Sequence, residues 1–428
     1  MSDFRHYGVV GRRTRRASIA IGALVAWFGL TACGATQGNV PVQSGAAPSS
    51  TPAATPSPTA SPTAKPSPKA TPRIIISAED ACVAHTLQTM TQKQMIGQIM
   101  LVGTPVDDPS GIDKIISEYD IGGVFLNGRS KESASTLRSA ISKLQSYAPK
   151  NVRLLVSLDQ EGGEVQSLQG SDFPPIPTAV DQGKESSAAL KKQATAWAKR
   201  LADIGITLDL APVSDTVPAS IGTKNPPIGA FYREYGFTPS TVSAAIKTVV
   251  PAVQSTGVMT TLKHFPGLGR VLYNTDFSTK AVDNVATTHD PNLGPFIAGI
   301  KAGTGAVMIS SAKYPKIDSK SIATFSEPII TGLLRNQLGF KGMIVSDAMG
   351  GAAAVSIVPV GQRAVDFIQA GGDFALTAQY QKAPAMIEGL IAEAKASKAF
   401  AAKIKVAAGY VMRAKYTAGL LGCSPSQA

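Results

Sequence analysis

The chain has 428 residues, three cysteines, four histidines and a formal net charge of +12. Residues 1–16 hold five arginines and one aspartate, and Lys65, Lys69 and Arg73 add three more cations, so residues 74–428 keep only +5 of that charge. So mild an excess, with no basic patch interleaved with aromatics, gives no case for nucleic acid as a partner. His6, His85, His264 and His289 are scattered and no CxxC or HxxxH occurs, so no metal site and no cofactor are expected.

In chain order, the first element is an address. Arg12, Arg13, Arg15 and Arg16 precede an apolar run at 17–30, too short and wrongly flanked for a stable membrane span. It ends in Leu30-Thr31-Ala32-Cys33-Gly34, small residues before a cysteine, which resembles a bacterial lipobox. Residues 1–32 are therefore expected to be a lipoprotein signal peptide and Cys33 the lipidated new N-terminus, with an ordinary secretory signal as the alternative. Residues 33–73 follow as a tether. Nine prolines fall within 41–72, the rest is mostly Ser, Thr and Ala, and Val42 is the only large aliphatic residue there. Such a segment cannot bury enough apolar surface to offset its ordering entropy. The expected placement is export to the outer face of the cell membrane, anchored by the lipid at Cys33.

Residues 74–428 alternate apolar runs with amphipathic stretches. The runs at 97–103, 122–127, 153–159, 205–212, 257–265, 305–311, 342–347 and 371–376 read as eight strands. Several are continuous rather than alternating, as in parallel strands covered on both faces. Segments 188–205 and 326–340 have helical periodicity. Eight such units predict an α/β fold, a single-domain TIM-type (β/α)8 barrel. A doubly wound open sheet is the alternative, but no GxGxxG follows the first strand. Cys82 near the domain's start and Cys423 near its end would meet if a closed barrel brings its termini together in an oxidising space, so a disulfide is expected over two free thiols. A monomer is the simplest assembly.

In a barrel of this kind the working residues sit at the C-terminal ends of the strands. The sequence offers Asp159, Glu161, Asp209, Asp215, Lys263, His264, Ser310, Ser311, Asp347 and Asp373 there. Carboxylates accept hydrogen bonds from sugar hydroxyls and lysine donates to them. Bland readings stand beside this one: Asp347 as a helix cap, His264 as a bonded core residue, Asp209 and Asp215 as loop pins, with Glu161 undecided. Lys263 lies in the apolar context TTLKHFP and needs a partner or a ligand. Gly162 and Gly163 predict a tight turn.

The blocks DQEGGEVQSL (159–168), LDLAPVSD (208–215), LKHFPGLG (262–269), AVMISSAKYP (306–315) and GFKGMIVSDAM (339–349) resemble glycoside hydrolase family 3, and best its single-domain bacterial β-N-acetylglucosaminidases. The resemblance spans nearly all of 90–376 and implies a barrel, no metal and a retaining mechanism. It implies that Asp347 is the nucleophile, that Lys263, His264 and Asp159 hold the sugar, and that Arg233 in REYG is the sugar-binding arginine. The sequence departs from that pattern where the branch carries its catalytic Asp-x-His dyad: here stand Asn274-Thr275-Asp276. Leu268 replaces the histidine of the PGHG turn, Glu164 and Ser167 stand where basic residues are usual, and Ser311 stands where a histidine is common. Asp276 is the residue left to act as acid, provided that loop 268–281 folds over the sugar. The expectation is a lipid-anchored glycosidase acting on β-linked N-acetylglucosamine or glucose in envelope glycans. The alternatives are a sugar- or muropeptide-binding lipoprotein that has lost its acid, and a phosphorolytic variant.

Overall fold

The computed structural model describes residues 77–425. Residues 1–76, with the signal, the tether and Cys33, lie outside the described residues. Eight parallel strands form the centre: β1 Met100–Pro105, β2 Gly123–Asn127, β3 Leu155–Leu158, β4 Leu208–Asp209, β5 Met259–Phe265, β6 Ala306–Ile309, β7 Met343–Ser346 and β8 Ala375–Thr377. They pair in the order β7-β6-β5-β4-β3-β2-β1-β8. A parallel bridge between Val345 and Phe374 joins the two ends, so the sheet closes on itself. This is the TIM-type barrel that the eight apolar runs predict.

Closure explains the composition of the strands. With helices outside and side chains filling the interior, both faces are dry. Leu101, Val102, Val124, Val156, Val307, Ile344 and Val345 are all buried. Every residue of β5 is buried, its Lys263 and His264 included, so both polar side chains must find partners inside the protein. Phe265 packs edge-to-face on Phe296 of the covering helix Gly294–Lys301, with ring centroids 5.3 Å apart.

Several boundaries shift from the expectation, each for a local reason. The run 97–103 loses its first residues to the helix Gln92–Gln98, which Thr91 and Gln94 start with reciprocal capping bonds. The run 205–212 shrinks to the two residues of β4; Pro212 has no N–H for a ladder, and Leu210 bonds back to Leu158. The segment 326–340 forms a wide-turned π-helix, Pro328–Gln337, rather than an α-helix.

Helix Ala78–Thr89 packs against the last helix, Lys398–Thr417. There Cys82 and Cys423 are joined by a disulfide, with Cα atoms 5.7 Å apart across a sequence separation of 341. Among the described residues no helix is long and apolar enough to cross a membrane.

Candidate active site

The C-terminal ends of β3, β4, β5 and β7 build one polar mouth. After β3 the chain passes Asp159 and turns back in a short hairpin, Gln160–Gly162 against Val165–Gln166. Gly162 and Gly163 have φ of 104° and 55°, the left-handed region that a Cβ disfavours, which makes the predicted turn possible. After β4, Arg233 lies on a loop held by Asn225, which donates to the carbonyls of Leu268 and Val271 and accepts from the N–H groups of Ile228 and Gly229. Lys263 and His264 lie in the last three residues of β5, and the Lys263–His264 and Phe265–Pro266 peptide bonds are cis.

Glu161 is the hub. Arg233 donates to it through two nitrogens, at 2.8 and 2.7 Å. Lys263 Nζ lies 2.5 Å from the same carboxylate and 2.6 Å from Asp159. Burial alone would raise the pKa of Glu161, but the charges of Arg233 and Lys263 outweigh it and hold the group down at about 2. Burial would likewise lower the pKa of Lys263, yet Asp159 and Glu161 raise it. The hub therefore gathers two cations and two carboxylates, with Lys263 and Glu161 buried and Asp159 and Arg233 partly open to solvent. Planar bidentate pairing sets the angle of the Arg233 guanidinium.

His264 is held by Asp215. Its Nδ1 lies 2.8 Å from Asp215 Oδ2, and its backbone N–H donates to the same oxygen at 3.1 Å. Leu268 N–H donates to Asp215 Oδ1 at 2.6 Å, while the Leu268 side chain is buried. Asp215 thus pins the KHFPGL turn and orients the imidazole.

Asp276 belongs to a loop tied down at both ends. Arg270 binds Asp283 at 2.8 Å and also pairs with Asp290. Asn274 Oδ1 accepts from Asp276 N–H at 2.8 Å, a turn made by the side chain. The carbonyls of Thr275 and Asp276 accept from Ala354 and Ala353, each at 3.0 Å, which ties the loop to the segment after β7. Asp347 opens that segment, its Oδ1 accepting from Ala348 N–H at 2.8 Å. Asp276 stands in the concave mouth, crowded by protein yet open to water. Crowding and then the Asp347 carboxylate push its pKa up to about 6, against Arg233 and His264, which pull it down. Asp159 adds to the rise, so this carboxyl senses four charged or ionisable groups, three on loops and His264 on β5.

The structure therefore gathers Asp159, Arg233, Lys263, His264, Asp276 and Asp347 at one mouth. Cys82 and Cys423 meet elsewhere. Asp373 is not at the mouth: it precedes β8, pairs with Arg335 and accepts from Ile344 N–H, at the start of the strands. Ser310 and Ser311 turn to internal partners, Tyr314 and Thr324. Glu161, which sequence reasoning leaves undecided, joins three elements. One signal could have found it: Glu161 is two residues past Asp159, and in extended chain such side chains share a face. Among the described residues, no group of three His, Cys, Asp or Glu is arranged to hold a metal ion.

Asp209 lies under the hub, fully buried, accepting from Gln160 N–H at 3.1 Å. Burial pushes its pKa up to about 7 against that bond and Lys263, and Asp159 and Glu161 push the same way. The folded state then holds a proton that the unfolded chain has released, so this group's stabilisation falls as pH rises from about 4 to about 7. At 1.36 kcal/mol per unit the loss is on the order of 4 kcal/mol. Urea midpoints at pH 5 and pH 8 should differ in that direction, and Asp209→Asn should flatten the difference. An unchanged pH profile in the variant would rule Asp209 out as the source.

Residues 84–414 match the family described as glycosyl hydrolase family 3 N terminal domain. A β-hexosaminidase of Xanthomonas oryzae pv. oryzae is 32% identical over 286 residues, 65% of this chain and 83% of its own. The crystal structure of β-N-acetylhexosaminidase from Beutenbergia cavernae superposes with a TM-score of 0.74 at 40% identity, covering 76% of this chain and 98% of that one. A family 3 β-N-acetylglucosaminidase from a Paenibacillus strain gives 0.70 at 28% identity, covering 78% of this chain and 63% of that one.

Proposed function

Because the chain belongs to glycosyl hydrolase family 3, we propose that it hydrolyses β-linked N-acetylglucosamine with retention at the anomeric carbon. The observation that carries this reading is that the Asp276 turn is hydrogen-bonded to the segment that Asp347 opens, which brings a second carboxyl near the first, and the Asp347 charge helps to raise its pKa. Two carboxyls held in different protonation states by their surroundings can serve as nucleophile and acid, and here that pair would stand in for the dyad of the branch. In the first step the Asp347 carboxylate attacks the anomeric carbon and the glycosidic C–O bond breaks. Asp276 gives its proton to the departing oxygen, so the sugar is left as an ester on Asp347. In the second step the ionised Asp276 takes a proton from water, whose oxygen attacks the anomeric carbon and releases Asp347. Lys263, Asp159, Arg233 and His264 hold the sugar hydroxyls, with Glu161 and Asp215 fixing their positions.

The test uses the purified full chain with aryl β-glycosides of N-acetylglucosamine and glucose. Faster turnover of the acetamido sugar, with the β-anomer of the product appearing first by NMR, is expected. The α-anomer first would rule out Asp347 as nucleophile, and sugar binding without turnover would favour a non-hydrolytic binding protein.

The same reading puts the enzyme at the cell envelope. Leu30-Thr31-Ala32-Cys33 after an apolar run supports lipidation of Cys33, and the Pro-, Ser-, Thr- and Ala-rich composition of 41–72 supports a spacer between that anchor and the barrel. Cys33→Ser should move the protein from the membrane fraction to the soluble one. A variant that stays with the membrane would exclude Cys33 as the anchor.

A further inference from the structure

Arg233, Arg270 and Arg335 each meet a carboxylate. Arg363, 6% exposed on the helix Val360–Gln369, does not: among the described residues no carboxylate pairs with it. Its acceptors are three backbone carbonyls. Nη1 donates to Met349 O at 2.7 Å and to Gly350 O at 3.0 Å, and Nε donates to Val358 O at 2.8 Å. The helix gains nothing from this charge, because the start of a helix favours anions and this one carries no acidic residue in its first turn. A buried cation is costly unless its donors are used, so the position asks what those carbonyls hold.

All three belong to the segment 347–359, which Asp347 opens after β7. Met349 and Gly350 stand at its near end and Val358 at its far end. The near end is also tied to β8, where Met349 N–H donates to Leu376 O at 2.9 Å, while Val358 N–H bonds back within the segment, to Val355 O at 3.1 Å. Between the two ends, the N–H groups of Ala353 and Ala354 hold the carbonyls of Asp276 and Thr275. We propose that Arg363 is a positioning residue for both reacting carboxyls: by bracing the two ends of segment 347–359, it sets Asp347 and the Asp276 turn in place together. This assignment rests on the hydrolytic reading above. Nucleophile and acid arrive from different strands, and their separation must suit one glycosidic bond. A displacement of about 1 Å can cost on the order of a hundredfold in rate. The sugar grip takes no part in the brace, since Asp159, Arg233, Lys263 and His264 are fixed through one another, Glu161 and Asp215. Loss of the brace should spoil the chemical step and spare sugar binding.

The experiment compares the full chain with its Arg363→Met variant, which keeps much of the side chain's bulk and loses every donor. With a β-1,4-linked disaccharide of N-acetylglucosamine as substrate, kcat should fall about a hundredfold. The Kd of free N-acetylglucosamine, read by calorimetry, should stay within about twofold of wild type. The alkaline limb of kcat/KM, at about 6 in wild type, should move to lower pH, because an Asp276 farther from Asp347 and less crowded loses part of what raises it. An arginine that served the fold alone would lower the melting temperature and leave kcat and the limb where they are, so a kcat within about threefold of wild type would overturn the assignment. Equal losses in kcat and in sugar affinity would overturn it as well. Should Arg363→Met fail to fold, Arg363→Lys decides. It keeps the charge but not the planar fork that reaches both ends of the segment, so kcat should fall about tenfold at unchanged Kd, and a wild-type kcat would overturn the assignment. A wild-type chain that binds the sugar and turns over no glycoside sinks the hydrolytic reading, and the assignment with it. An active wild type beside an equally active variant sinks the assignment alone.

Discussion

Asp347→Asn should abolish turnover, lowering kcat by a factor on the order of a hundred thousand or more, as removal of a covalent nucleophile does elsewhere. The amide is isosteric, and its oxygen still accepts from Ala348 N–H, so the loop after β7 has no reason to move. A circular dichroism melt close to that of wild type should accompany the loss. The substitution has a second consequence. The Asp347 charge is one of the forces raising Asp276, so its removal should bring the Asp276 pKa down from about 6. Carbon-13 NMR titration of labelled aspartates reads that shift directly. Retained turnover of an aryl N-acetylglucosaminide in this variant would exclude the nucleophile assignment. An unmoved Asp276 titration would mean that the two carboxyls do not sense each other.

Asp276→Asn should separate substrates by leaving group. General acid catalysis contributes about a hundred- to ten-thousandfold, and only where the departing oxygen needs a proton. Disaccharide cleavage should drop by that range, while a dinitrophenyl glycoside, which leaves as a stable phenolate, should still form the glycosyl-enzyme. Azide should then restore turnover, because it attacks the ester and displaces Asp347 without needing a base, and the product is a β-glycosyl azide. The pH profile carries the same information. In the proposed mechanism the acid form of Asp276 acts in the first step, so kcat/KM on the disaccharide should fall as pH rises through about 6 in wild type. That limb should be missing in the variant. Equal losses on both leaving groups, with no azide product, would exclude Asp276 as the acid.

The barrel was legible because burial on both faces writes eight apolar runs into the chain, and a run such as TTLKHF marks itself by holding a lysine where water is absent. The positions of Asp159, just past β3, and of Lys263 and His264 on β5 were legible for the same reason: each is polar chemistry at the end of a dry strand. Loop 268–281 was not. Its position depends on Arg270 reaching Asp283 and Asp290, and on backbone bonds to Ala353 and Ala354, none of which leaves a periodic trace. Glu161 stayed undecided because its role exists only once Arg233, some seventy residues on, has folded against it. Asp373 was assigned to the wrong end of the barrel, since the run GGDFAL carries its aspartate before the strand instead of after it. In such runs the side on which the polar residue falls decides between an anchor and a site.

The disulfide has a mechanical meaning. Because Cys82 and Cys423 are covalently joined, residues 82–423 form a closed ring that contains all eight strands and every residue of the mouth. A pull arriving through the residues before Cys82, or through those after Cys423, meets the sulfur–sulfur bond before it meets any strand. Tension between the two ends therefore bypasses the sheet, and the ladder between β1 and β8, the first and last strands, carries none of it. A pull on the two ends would therefore leave the geometry of the mouth as it is.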